Sequence, residues 1–220
     1  MAPPKFYQQN HFLPLLIICM LSLLTTFTAL AENWLNHGGD LNNRRYASKE
    51  TKEFYAGKDI SATPSIFNGT LYFPRWNGEI YAVDASDGSL VWKKEVRNLT
   101  GLSPRPSLVA NVNWTVSRAT PTIVFDHDHD HDLLIIGVYG PAFVVAVRRS
   151  TGELVWSTQL DQNPAAVITM SGTYYKGSFH VGTSSLEEEL SIEECCRFRG
   201  SFCKLDVGSG EIVWKTFTLR

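Results

Sequence analysis

Short apolar runs broken by turn residues make up most of this chain. Thr70-Leu-Tyr-Phe73 and Glu79-Ile-Tyr-Ala-Val83 lie either side of Asn77-Gly78. Leu133-Leu-Ile-Ile-Gly-Val-Tyr139 and Ala142-Phe-Val-Val-Ala-Val147 lie around Gly140-Pro141, and Thr173-Tyr-Tyr175 and Ser178-Phe-His-Val181 around Lys176-Gly177. Runs of this length, rich in β-branched and aromatic residues and separated by turn residues, predict strands paired as hairpins. No segment carries a convincing amphipathic helix. The acidic stretch from Leu186 to Glu194 has room for one helical turn and reads as a loop insertion.

One ending recurs three times: an apolar strand, a turn closing on Gly, and a Trp four residues later. The copies run from Ala82 through Gly88 to Trp92, from Ala146 through Gly152 to Trp156, and from Lys204 through Gly210 to Trp214. Each unit is expected to open with an inner strand, as in Ala62-Thr-Pro64-Ser-Ile66 and Ala119-Thr-Pro121-Thr-Ile123, and to close with the strand bearing the Trp. Four short antiparallel strands per repeat make a propeller blade. The predicted fold is all-β, a β-propeller of which about three blades are present. A sandwich would not repeat this ending. The Gly supplies a positive φ at the turn between the third and fourth strands. Asp84 and Asp206 can bind the turn amides, whereas Arg148 takes that place in the second copy. The Trp is expected between blades, its indole N–H on a neighbour's carbonyl.

The beginning of the chain reads differently. Lys5 and His11 precede an apolar run from Phe12, which ends near the small-residue site Ala29-Leu30-Ala31. This predicts a secretory signal peptide over 1–31 and a mature propeller segment over 32–220; an uncleaved membrane anchor is the alternative. The expected location is extracellular, in a cell wall or apoplast if the source is a plant. The sequons at Asn68, Asn98 and Asn113 agree with it. A formal net charge of −2 with no Lys/Arg run argues against a nucleic-acid footprint. Nothing apolar after residue 31 is long enough to cross a membrane.

The Gly-x-x-x-Trp ending resembles the tryptophan-docking motif of quinoprotein dehydrogenases, eight-bladed propellers that bind pyrroloquinoline quinone (PQQ) and usually Ca2+. The opening Trp34-x-x-His37-Gly38-Gly39-Asp40-x-x-Asn43-Arg44-x-Tyr46 looks like the start of that family. The resemblance is closest to polyvinyl-alcohol-dehydrogenase-like proteins, including secreted plant versions. It implies a PQQ-dependent oxidoreductase that moves hydride from a small or polymeric alcohol to the quinone. It further implies Arg118, Thr169 and Ser184 as quinone contacts and Glu187, in Gly182-Thr-Ser-Ser-Leu-Glu187, as a Ca2+ ligand. In that family the remaining metal ligand, the catalytic base and the aromatic floor under the quinone come from later blades. The chain is therefore expected to be an N-terminal piece, inactive alone. The other reading is a non-catalytic secreted propeller that binds a polymer or a protein partner.

Several positions depart from the family pattern. The covering vicinal disulfide of the bacterial alcohol enzymes is replaced by Val112 and Asn113, and a second acidic ligand by Ser61. The chain has its own adjacent pair, Cys195-Cys196, within an insertion. A bridge from Cys203 to one of them is expected over a bond between neighbours, although the inserted loop could still reach the cofactor face. The tract Asp126-His-Asp-His-Asp-His-Asp132 is expected at an exposed hairpin tip, with weak metal binding as the alternative.

Overall fold

The computed structural model describes residues 59–102, 115–126, 131–193 and 195–218. The predicted signal peptide, the Trp34–Tyr46 segment, Asn113 and the centre of the His/Asp tract lie outside the described residues. The first sheet is the meander β1 (Ser65–Phe67), β2 (Thr70–Pro74), β3 (Glu79–Asp84) and β4 (Leu90–Glu95). The second repeats it with β5 (Thr122–Asp126), β6 (His131–Gly137), β7 (Phe143–Arg148) and β8 (Leu154–Gln159). The third is β10 (Thr173–Tyr175), β11 (Ser178–Ser185), β12 (Ser201–Asp206) and β13 (Ile212–Phe217), with the short β9 (Ala166–Val167) added beside β11. All pairings are antiparallel. These are the three blades that the repeat predicts.

Each Trp stands opposite the third strand: Ala82 pairs with Trp92, Ala146 with Trp156 and Lys204 with Trp214, and the register shifts just beyond each pair. That bulge bends the outer strand at the same place in every blade. Trp92 donates its indole N–H to the Arg149 carbonyl at 2.9 Å, and Trp156 to the Val207 carbonyl at 2.7 Å. The Gly of the following blade closes the contact. A Cβ at Gly152 would stand 2.9 Å from the Trp92 ring, and one at Gly210 2.5 Å from the Trp156 ring. Both glycines also hold φ near +70°. The motif thus needs Gly twice over, for the turn and for the ring of the preceding blade. Where Asp is present it accepts turn amides, Ser86 on Asp84 and Ser209 on Asp206.

Two apolar interfaces follow. Tyr72, Ile80, Ala82 and Trp92 of the first blade meet Leu134, Ile136, Val145 and Val147 of the second. Leu133, Ile135, Val144, Ala146 and Trp156 of the second meet Phe179, Val181, Cys203 and Leu205 of the third. At the inner edge, the Ser65 hydroxyl donates to the Pro121 carbonyl and the Thr122 hydroxyl to the Gly172 carbonyl. Arg149 adds a further tie between the first two blades, its guanidinium donating to the Tyr72 hydroxyl at 2.8 Å and lying over Phe67.

Two sequence expectations change, and one hairpin is placed in its blade. A short helix, α1 (Val96–Thr100), follows β4 and is closed by Gly101 at φ 68°. It is too short for a helical period to show; burial of Val96 and Leu99 in the first interface holds it. Lys176-Gly177 joins the first and second strands of its blade, as Asn68-Gly69 does in the first, each pair with two positive φ angles. The middle connection of blade three is instead the long segment from Leu186 to Gly200. Finally, the disulfide joins Cys195 to Cys196, and Cys203 is a free thiol. Cys203 is fully buried on β12 in the second interface, which removes its thiol from the more exposed Cys195-Cys196 pair. Burial pushes its pKa up.

Candidate functional site

An antiparallel meander puts three things at one end of its sheet: the start of the first strand, the link between the second and third, and the end of the fourth. In the three blades the first of these are Ser61–Pro64, Arg118–Pro121 and Thr169–Gly172, and the second are Arg75–Gly78, Val138–Ala142 and Leu186–Gly200. Arg118, Thr169, Ser184 and Glu187 therefore all lie at this end. The segments are tied to each other: Thr120 donates its backbone N–H to the Ser171 hydroxyl, and Ile168 to the Tyr139 carbonyl.

Arg118 is exposed, and its guanidinium lies 4.9 Å from the Trp76 ring and 5.2 Å from the Tyr139 ring. Trp76 is itself fixed, giving its indole N–H to the Ser61 hydroxyl at 3.1 Å. The two rings come from the middle links of adjacent blades, and both contact the guanidinium by cation–π attraction. Among the described residues no hydrogen bond or ion pair engages the guanidinium. Trp76 and Tyr139 were not singled out from sequence. The available signal was an aromatic in each middle link, beside Asn77-Gly78 and Gly140-Pro141.

Thr169 and Ser184 are both exposed. The β9–β11 pairing sets Ser184 opposite Val167, two residues before Thr169, which brings the two hydroxyl-bearing residues to one edge. Gly182, beside them, meets Met170, its backbone N–H on the thioether at 3.1 Å.

Glu187 behaves differently. It lies in a single 3-10 turn (Glu187–Glu189) and is only 6% exposed. One carboxylate oxygen accepts the Asn163 amide at 2.7 Å, and the other accepts the backbone N–H of Phe198 at 2.7 Å. The backbone N–H groups of Arg197 and Cys196 also point to it. Burial pushes its pKa up, but the Phe198 N–H, Asn163 and the two other amides outweigh this and hold it below the ordinary carboxylate value. Asn163 cannot turn its carbonyl oxygen here, because that atom accepts the Ala165 N–H. The donor set around Glu187 is thus N–H groups, whereas Ca2+ requires converging oxygens. Among the described residues no group of three or more His, Cys, Asp or Glu could hold a metal ion. Glu187 as placed does not fit the calcium role, and no chemistry is derived through that ion. The Ser61 hydroxyl oxygen accepts the Trp76 indole N–H.

This architecture has counterparts. Residues 61–216 match the PQQ_2 family model, described as outer membrane protein assembly factor BamB. The chain belongs to that family. A polyvinylalcohol dehydrogenase of a Pseudomonas species is 28% identical over 159 residues, covering 71% of the chain and 22% of the relative. Among solved structures, the quinohemoprotein alcohol dehydrogenase ADHIIG of Pseudomonas putida HK5 superposes with a TM-score of 0.61 at 20% identity, covering 86% of the chain and 27% of that enzyme. A europium-containing methanol dehydrogenase gives 0.60 at 15% identity, with 86% and 32% covered. These likenesses establish the propeller fold of the quinoprotein dehydrogenases. The chain spans about a quarter of the length of the relatives it matches.

Proposed function

We propose that this chain contributes the first blades of a secreted, quinone-dependent oxidoreductase acting on alcohol groups. The observation that carries the reading is the exposed guanidinium of Arg118, in contact with both Trp76 and Tyr139 at the end of the blades where Thr169 and Ser184 also lie. A planar quinone bearing carboxylates needs a bidentate cation and short hydroxyl donors around its rim, and these residues offer both. When bound, such a quinone supplies the hydride acceptor. Arg118 would hold a carboxylate, and Thr169 and Ser184 would donate hydroxyl hydrogens to the cofactor's edge. The polyvinylalcohol dehydrogenase relative supports an alcohol-bearing polymer or small alcohol as substrate. The sequons and the disulfide agree with an extracellular location.

Titration of the chain with PQQ, read by tryptophan quenching, tests this. Arg118→Ala is expected to weaken binding by about 2 kcal/mol, some thirtyfold, and Arg118→Lys to recover only part, because Lys lacks the flat bidentate fork. Binding that is unchanged in Arg118→Ala would remove the basis of the proposal.

The engagement of Glu187 by N–H groups favours a second reading, a propeller that binds without catalysing. Dye reduction separates the two. With PQQ and an alcohol present, the 220-residue chain alone is expected to reduce no dye, and a longer form carrying further blades is expected to do so under the enzymatic reading. A longer form that binds PQQ yet reduces no dye supports the non-catalytic one.

A further inference from the structure

The two chain segments that carry Arg118 and Thr169 are bonded to each other. Arg118–Pro121 and Thr169–Gly172 are the same part of neighbouring blades, the approach to the first strand. The Arg118 segment is fixed first within blade two. The buried Ser117 hydroxyl donates to the Gly137 carbonyl at 2.7 Å, and its oxygen accepts the Ala119 N–H at 3.3 Å. Tyr139, whose ring meets the guanidinium, gives its backbone N–H to the Val116 carbonyl at 2.7 Å. Bonds to blade three follow. The Ile168 N–H reaches the Tyr139 carbonyl, and the Thr122 hydroxyl the Gly172 carbonyl. The second of these has a counterpart between blades one and two, Ser65 on Pro121, so it belongs to the common seam. The bond from the Thr120 N–H to the Ser171 hydroxyl, at 2.9 Å, is different. It joins the two approaches at matching places, two residues after Arg118 and two after Thr169, and it depends on a side chain. Thr120 is buried, so its N–H has no ready substitute in water.

We propose that Ser171 is a positioning residue: its hydroxyl, by accepting the Thr120 N–H, sets the spacing between the Arg118 guanidinium and the Thr169 hydroxyl. This role rests on the quinone reading above. A rigid, planar cofactor keeps a fixed distance between the atoms it offers. Donors from two blades serve it together only if the blades are held in register. Arg118 and Thr169 stand on different blades, and the Ser171 bond ties one approach to the other within two residues of each. Removing the acceptor leaves the Ile168 and Thr122 bonds in place. The blades stay joined, while Arg118–Pro121 loses its bond from Thr120. The expected loss is therefore one of register, moderate in size, and not of the fold.

PQQ titration of the 220-residue chain, read by tryptophan quenching and paired with hydrogen exchange at the Thr120 amide, tests this. Ser171→Ala is expected to weaken binding about fivefold and to speed exchange at Thr120 at least about tenfold. Ser171→Thr keeps the acceptor oxygen, and Thr63 and Thr120 hold the same place in blades one and two, so this variant is expected to restore both. In the Arg118→Ala background, Ser171→Ala should weaken binding by less than about twofold more, because the register then serves no guanidinium. A merely structural role would weaken binding by the same factor in both backgrounds, and that result overturns the proposal. A Ser171→Ala chain that binds PQQ as the unaltered chain does, or keeps a slow Thr120 amide, also overturns it and leaves the quinone reading standing. An unaltered chain that binds no PQQ removes the quinone reading and this role with it.

Discussion

Glu79 and Glu187 are both surrounded by donors, but they serve different ends. Glu79 accepts the Tyr81 hydroxyl, the Lys93 ammonium at 2.9 Å and the Asn77 amide, and these bonds, Tyr81 first, lower its pKa from 4.5 to about 2. A carboxyl lowered on folding stabilises the protein above its unfolded value, and the contribution fades as pH falls through the folded one. Urea unfolding is therefore expected to show Glu79→Gln less stable by about 1 kcal/mol at pH 7, after allowance for solvent screening, with the difference shrinking between pH 4.5 and 2. A pH-independent difference would place the effect in packing instead. At this scale the sequence was a partial guide to the site. The family resemblance implied Arg118, Thr169 and Ser184, and the fold sets all three at one end of the blades. Trp76 and Tyr139 were not implied, because nothing local says that two links sixty residues apart will close on one guanidinium. The same resemblance implied Glu187 as a calcium ligand, but its partners are the Asn163 amide and backbone N–H groups, and backbone amides carry no sequence signature.

At the scale of elements, the Gly of the repeated turn does two jobs that can be measured apart. Gly177 has a positive φ and nothing near its missing Cβ, whereas Gly152 and Gly210 have the same φ and an indole within 3 Å of that position. Gly177→Ala is expected to cost only the left-handed term, about 1 kcal/mol. Gly152→Ala and Gly210→Ala add the clash with Trp92 and Trp156 and are expected to cost about 2–4 kcal/mol in chemical denaturation. Equal losses at all three would mean that the ring contact contributes nothing. The strands themselves were legible as apolar runs between turn residues. The helix Val96–Thr100 was not, since five residues hold too little pattern and only the interface around Val96 and Leu99 stabilises them.

Across the whole molecule the blades are alike in backbone and unlike in their outer faces. Where blade one has Tyr72, Ile80 and Ala82 beside Trp92, blade three has His180, Phe202 and Lys204 beside Trp214. Trp92 and Trp156 are 8% and 7% exposed, and Trp214 is 41% exposed, flanked by His180 and Phe202. Trp92→Ala and Trp156→Ala are expected to cost about 3–5 kcal/mol, and Trp214→Ala about 1 kcal/mol or less, read from urea midpoints of the same chain. A large loss at Trp214 would show that something covers it in solution. By itself the sequence determined the all-β class, the three blades and the seam between them, because the Gly-x-x-x-Trp ending states turn, size and anchor within one short stretch of chain. Only the tertiary structure decided what the end of the blades can hold. The rings against Arg118 and the amides on Glu187 join residues whose meeting depends on how blades and links fold together.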